Sequence, residues 1–273
     1  MNENNPDGCN DAVEGSGLEG YVDIHCHCLP ALDDGPSTLS EALDLCRALS
    51  ADGAACVAAT PHQLGRYDGC NDADSVRNAV SVLNKELRNN NIPLTVLAGA
   101  DVRVDERICR LLEDDKILTL ADGGKYILLE LPHNIFIDIE PLLADLSSMG
   151  VYAVISHTER HPVIAKKPDL MRKWLEYPAY LQITAGSLTG EFGSAAEKCA
   201  WRLLDAGLVS IVATDAHDLS ARRPLMKAAF HRISGRFGAE IGRLVCFTNP
   251  LRVVKGLDVV PAGFKQILNC SRK

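Results

Sequence analysis

Short apolar runs recur along this 273-residue chain, and almost every one ends in a histidine or a carboxylate. The junctions read Asp23-Ile24-His25-Cys26-His27, Ala59-Thr60-Pro61-His62, Asp101 after Ala100, Glu130 after Leu129, Ile155-Ser156-His157 and Thr214-Asp215-Ala216-His217. Runs that are apolar without alternation are the mark of strands covered on both faces, as in parallel sheets. They predict strands at 21–28, 54–60, 93–100, 125–131, 150–156, 179–184 and 208–213. Amphipathic stretches between them predict helices at 38–50, 72–90, 104–114, 138–149, 167–177, 192–206 and 224–236, with a last helix and tail over 247–273. Thr38 and Glu41 form a capping box at the first of these helices. This is a βαβ series. An open doubly wound sheet collects its ligands at one switch point. Contributions from six strand ends instead need every strand C-terminus on one face, which a closed parallel barrel supplies.

Composition narrows the function classes. The formal net charge is −8, which argues against a basic nucleic-acid track but leaves room for a phosphorylated ligand at a local positive site. None of the ten cysteines forms a C-x-x-C pair, so zinc-ribbon and thioredoxin-like readings lack support. Cys46, Cys56, Cys109, Cys199 and Cys246 lie in apolar runs and read as reduced core residues of a cytoplasmic protein. Residues 1–19 are polar and acidic, with no secretory h-region, and read as a disordered tail; no run is long enough to insert in a membrane. The domain is expected to span 20–262, with a C-terminal tail at 263–273.

The strand-end residues carry the chemistry. His25 and His27, two apart on a strand, project to one face, and Cys26 and Cys28 project to the other, where packing against a helix is expected. Asp215 and His217 repeat that spacing. Asp33-Asp34-Gly35 is either a turn or a loop that sends one carboxylate to the same face; His62 is either a surface residue or a ligand. Asp101 and Glu130 end apolar strands, where a buried charge requires a partner. A metal would serve, and for Asp101 a salt bridge to Arg103 is the alternative. Arg160 and the Arg222-Arg223 pair lie beside two of the metal motifs and suit bidentate contact with phosphate. His133, His161 and His231 read as non-ligands. No GxxxxGK(S/T) phosphate loop and no GxSxG nucleophile elbow is present, and no cysteine is proposed as a nucleophile.

Taken jointly, these stretches resemble the PHP superfamily, and more closely its manganese-dependent protein-tyrosine phosphatases of bacterial capsule and exopolysaccharide synthesis. The resemblance is carried by 23–36, Thr60-Pro61-His62, 98–103, Leu129-Glu130-Leu131, 156–160, 182–188, 214–217 and Thr248-Asn249-Pro250, in family order. It implies an α/β fold, a distorted (β/α)7 TIM-like barrel, with up to three Mn2+ ions at the strand C-termini; the mixed N/O ligands also suit Fe or Zn. By the resemblance, His25, His27, Asp101 and Asp215 would hold one ion. Asp101, Glu130 and His157 would hold a second, and Asp34, His62 and His217 a third. Arg160 and Arg222, or Arg223 in the alternative register, would hold phosphate. The substrate would be a phosphotyrosine protein, with a bacterial tyrosine kinase as the family expectation. The bridging position is usually Glu in the family and is Asp101 here. Rival readings are a small-metabolite phosphatase of the histidinol-phosphate type, a phosphodiesterase, and a weakened domain that binds a phosphoprotein without turnover.

Overall fold

Parallel strands ring a small apolar interior in the computed structural model, which describes residues 20–133 and 135–261. The tails expected at 1–19 and 263–273 lie outside the described residues. In chain order the strands are β1 (Tyr21–Cys26), β2 (Ala54–Ala59), β3 (His62–Gln63), β4 (Thr95–Ala98), β5 (Asp101–Arg103), β6 (Tyr126–Glu130), β7 (Tyr152–Ile155), β8 (Ala179–Thr184) and β9 (Val209–Ala213). Beyond each of the expected strands 54–60 and 93–100 a further short strand follows: Pro61, which has no N–H to give, separates β2 from β3, and Gly99-Ala100 separates β4 from β5. Hydrogen bonding therefore splits into β1-β2-β4 and β3-β5-β6-β7-β8-β9.

The ring closes between the last strand and the first. Cys26 bridges Ala216, Asp215 N–H donates to His25 O at 2.8 Å, and His27 N–H donates to Ala216 O at 2.9 Å. Asp23 reinforces this seam. Its fully buried carboxylate accepts from Thr214 N–H at 3.0 Å and from the Thr214 hydroxyl. Burial pushes the Asp23 carboxyl up to about 6 against those hydrogen bonds, so the donors are what make a charged group tolerable there.

Two apolar layers fit a two-sided parallel sheet. Ile24, Cys56, Ala58, Leu128, Val154 and Ile211 fill the ring interior. Cys26, Val57, Ile127, Ile155 and Val212 face the helices. The helices are α1 (Leu39–Ala51), α2 (Ala73–Asn89), α3 (Ile108–Glu113), α4 (Glu140–Ser148), α5 (Pro162–Lys166), α6 (Ala185–Leu188), α7 (Gly193–Asp205), α8 (Met226–Phe237), α9 (Ala239–Arg243) and α10 (Asn249–Val254). Both halves of the Thr38/Glu41 capping box form on α1.

The helix expected at 167–177 is absent. That stretch forms two 3-10 turns, Pro168–Arg172 and Trp174–Glu176, after the short α5. Pro168 lacks the N–H a helix needs there, and it keeps Lys167 out of the helical region, at φ −134° and ψ 70°. The other predicted helices form with shifted ends. The expected segment 104–114 shortens to α3, and the described part of 247–273 contributes α10.

The seam yields a stability test. Thr214→Val keeps the shape of the side chain but leaves the Asp23 carboxylate short of its hydroxyl donor. The free energy of unfolding should fall by about 1–3 kcal/mol in a urea titration. An unchanged midpoint would show that the seam does not depend on this contact.

Candidate metal centre and active site

A bulge in β1 gives the site its two deepest imidazoles. Asp23 pairs with Val57 and Cys26 with Ala59, so β1 carries one residue more than β2 across that interval. Ile24 packs in the ring interior, and the extra residue lets His25 face inward as well. Cys26 and Cys28 are then buried against the helices, as expected from the sequence.

The other candidates converge from the remaining strand ends. Asp101 begins β5, Glu130 ends β6, and His157 and Asp215 follow β7 and β9. His157 and Asp215 hold left-handed backbone at φ 31° and 52°, a cost that surrounding contacts must support. Four overlapping groups of candidate donors result: His27, Asp34, His62 and His217; His25, His27 and Asp101; His25, His157 and Asp215; and His62, Asp101 and Glu130. All nine candidate ligands thus come together, although His27 also joins the group at Asp34.

The separations suit shared cations. His25 Nε2 lies 3.1 Å from Asp215 Oδ1, 3.2 Å from His27 Nε2 and 3.6 Å from Asp101 Oδ2. His62 Nε2 and His217 Nε2 each lie 3.4 Å from Asp34 Oδ1. Bonds of about 2.0–2.2 Å to one ion put neighbouring donors about 3.0–3.5 Å apart. Asp101 has no exposed surface, and neither of its oxygens has a hydrogen-bond partner among the described residues. Its Oδ2 sits 3.5–3.8 Å from nitrogens of His25, His62 and His157, so the shorter Asp still reaches all three. Arg103 does not pair with Asp101; it takes Glu130 at 2.8 Å.

The far sides of the rings fix their tautomers. His27 Nδ1 lies 2.6 Å from Asp33 Oδ2, and His25 Nδ1 lies 3.0 Å from Gln182 Oε1. His217 Nδ1 lies 2.9 Å from the Asp215 carbonyl. Each contact puts a proton on Nδ1 and turns the Nε2 lone pair toward the site, as metal-bearing imidazoles require. The buried His217 Nε2, which faces Asp34 but has no hydrogen-bond partner among the described residues, fits that reading. The nine positions and their surroundings therefore fit divalent cations.

Charge responds to this crowding. Burial raises the Asp101 carboxyl, but the neighbouring His25, His62 and His157 outweigh it and hold the group below the carboxylate range. Burial and the Asp101 charge push Glu130 up to about 7. Burial works against a charge on His27, but Asp33 and Asp215 lift it to about 10. Burial lowers His157 to about 3, with Arg160 adding to the effect. It lowers His217 to about 4, helped by the charge on His27. Protons on His27 thus balance carboxylates that a cation would balance instead, and His157 and His217 stay neutral, as ligands must be.

A cleft of about 600 Å3 opens over the donors. Arg160 and Arg222 line it. Arg160 pairs with Asp215 and lies 4.6 Å above the Phe192 ring. Arg222 sits 3.2 Å from Asp215 and 3.3 Å from Asp34. Arg223 does not line the cleft and pairs with Glu191 at 3.0 Å. Asp218 shapes the loop that carries both. Its carboxylate accepts from the N–H groups of Ser220, Ala221 and Arg222, folding the loop back over the site. His133 also lines the cleft. His161 is spent on the carbonyls of Pro132 and Ile135, and His231 is exposed on α8.

Several contributors were not singled out from sequence. Gln182 was detectable as a polar residue inside the apolar β8 run. Asp33 was one of two equivalent carboxylates in a turn, and only the fold separates its task from that of Asp34. Tyr67 stacks on His62 at 5.4 Å, but it comes from a short 3-10 turn, Gly65–Tyr67, with no periodic signal.

Comparison with known proteins places this geometry in a lineage. A family model described as capsular polysaccharide synthesis, CpsB/CapC, matches residues 21–255. The tyrosine-protein phosphatase YwqE of Bacillus subtilis (strain 168) is 37% identical over 222 residues, covering 81% of this chain and 86% of that protein. CpsB of Streptococcus pneumoniae, also a tyrosine-protein phosphatase, is 26% identical over 241 residues, covering 85% and 98%. A crystal structure from work on YwqE and CpsB, described as unique metal-dependent tyrosine phosphatases, matches with a TM-score of 0.83. It is 34% identical and covers 88% of this chain and 96% of that one. The phosphotriesterase homology protein of Escherichia coli shares the fold alone, at TM-score 0.55 and 14% identity. The match over residues 21–255 and the shared fold settle the lineage: the chain belongs to the CpsB/CapC family of capsular polysaccharide synthesis proteins.

Proposed function

We propose that this chain is a metal-dependent protein-tyrosine phosphatase that acts in the control of polysaccharide synthesis. One observation carries the reading: the wholly buried Asp101 carboxylate, without a hydrogen-bond partner among the described residues, joins two of the donor groups beneath an arginine-lined cleft. We assign the ligand positions as His25, His27, Asp34, His62, Asp101, Glu130, His157, Asp215 and His217, and the cofactor as up to three Mn2+ ions. The substrate would be a phosphotyrosine protein, with a tyrosine kinase as the partner in view. No helix among the described residues is long and apolar enough to cross a membrane. The buried free thiols support a reducing, cytoplasmic setting.

Bound divalent cations would supply Lewis acidity and an activated water at neutral pH. The chain provides the rest. Arg160 and Arg222 bind the phosphoryl oxygens and stabilise charge as it redistributes in the transition state. Phe192, under the Arg160 guanidinium, fixes that arginine at the cleft wall. Asp33 and Gln182 hold His27 and His25 in the orientation described above. Arg103 anchors Glu130 Oε2, which also faces His62 at 3.5 Å, while Oε1 lies 3.8 Å from His157. The leaving group is a phenol with pKa of about 10, so it departs with little help from a protein acid.

The primary test is phosphate release by chelator-stripped protein. Activity should vanish on stripping, return with Mn2+, and favour a phosphotyrosine peptide over phosphoserine peptide and histidinol phosphate. A phosphotyrosine peptide that ranked last would overturn the reading.

The arginine assignment separates neighbouring residues. Arg160→Ala and Arg222→Ala should each lower kcat/KM by about 10²–10³-fold. Arg223→Ala should stay within about threefold, since it loses only an exposed pair. Equal effects at 222 and 223 would reject the choice between them.

Asp33→Asn tests ring orientation. Loss of the carboxylate behind His27 should weaken metal affinity by about 10–100-fold in a metal titration. An unchanged affinity would show that His27 needs no such support.

A further inference from the structure

The chain is acidic as a whole, at −8, yet its surface beside the cleft is not. Lys166 ends α5, Lys167 follows it, and Lys173 comes after the next turn. Together with Arg202 of α7, Phe136 and Leu170, they line a hollow of about 520 Å3. The three lysines are exposed and have no ion-pair partner among the described residues. The hollow holds two carboxylates, both engaged. Asp138 accepts from Trp174 Nε1 at 2.9 Å and from Glu140 N–H at 3.1 Å, and Asp169 pairs with Arg172 at 2.7 Å. The Trp174 and Glu140 bonds lower the Asp138 carboxyl and Lys173 lies near enough to add to this, and all four cations face solvent beside the exposed side chain of Leu170.

This hollow adjoins the active site. His161, Pro162 and Ala165 line the catalytic cleft, and the next two residues, Lys166 and Lys167, line the hollow. Arg202 donates to the Ala165 carbonyl at 3.3 Å, tying α7 to the divide. Five helical residues span about 7 Å. Two or three residues of extended peptide cover that distance, at about 3.3 Å each.

We infer that this basic hollow is a second, non-catalytic docking site for an anionic segment of the phosphoprotein substrate, about three residues from the phosphotyrosine in the cleft. The inference rests on the phosphatase reading above. Clustered, unpaired lysines beside a solvated apolar contact suit acidic side chains or a second phosphate. Such a site adds affinity for the protein substrate without touching the reacting phosphate.

The test compares the Mn2+-loaded protein with a Lys166→Ala/Lys167→Ala/Lys173→Ala variant whose thermal midpoint matches it. The substrates are p-nitrophenyl phosphate and phosphotyrosine peptides flanked by neutral residues, by Asp/Glu, or by a second phosphotyrosine. Three lost exposed ion pairs should lower kcat/KM about tenfold on the anionic peptides, through KM, with p-nitrophenyl phosphate and the neutral peptide unchanged. High salt should erase the difference. The two anionic arms show whether carboxylate or phosphate is preferred, and a preference for either supports the site. An anionic preference that is absent in the parent, or that survives in the variant, overturns it. So does lysine-dependent binding to anionic phospholipid vesicles with peptide kinetics unmoved. A parent inactive on p-nitrophenyl phosphate and on every peptide would count against the phosphatase reading itself.

Discussion

Negative charge buried at the mouth of the barrel is the constraint on which the rest of the site depends. Asp101 and Asp215 have almost no exposed surface. Isolated carboxylates there would cost several kcal/mol each, so the fold must bring positive charge to them. His25 lies within 3.6 Å of both, and Arg160 pairs with Asp215. These contacts would balance the charge with protons at the expense of ligand lone pairs. Divalent cations balance it and use the lone pairs, which is why the same residues read as a metal centre rather than as a buried ion-pair network.

Ring closure and site assembly are one event in this fold. The Asp215 N–H bond to His25 O and the His27 N–H bond to Ala216 O are both closing hydrogen bonds and links between candidate ligand segments. Asp23, two residues before His25, and Thr214, one before Asp215, lock the seam. The left-handed backbone at Asp215 is therefore held between two fixed points. Strain of this kind survives only where its surroundings determine it, and here the surroundings are the barrel seam itself.

Much of this was legible in the sequence, for a definite reason. A parallel barrel writes its active site at one end of every strand, so the His25/His27 and Asp215/His217 spacings and the acids after β4 and within β6 mark the same face. What stayed hidden depends on contacts between distant segments. The β1 bulge that aims His25 inward leaves no mark in Asp-Ile-His-Cys-His. The division of labour between Asp33 and Asp34 follows from where His27 and His62 lie. The turn that sets Arg222 rather than Arg223 along the cleft is built by Asp218, and the register of two adjacent arginines has no local signal. The misread helix at 167–177 shows the converse. Its apolar spacing was helical, but Pro168 governs the backbone there.

The arginines connect the two tasks of the site. Arg160 and Arg222 both rest on Asp215, and Arg222 also reaches Asp34. Those carboxylates belong to the candidate donor groups. A guanidinium has five donors in a rigid fork, so each arginine can keep a carboxylate contact and still offer N–H groups to phosphate. Cations at the donor groups would take up carboxylate charge and loosen its hold on both arginines. Under the proposed assignment, occupancy of the metal positions and readiness to grip a phosphate would be linked through Asp215 and Asp34.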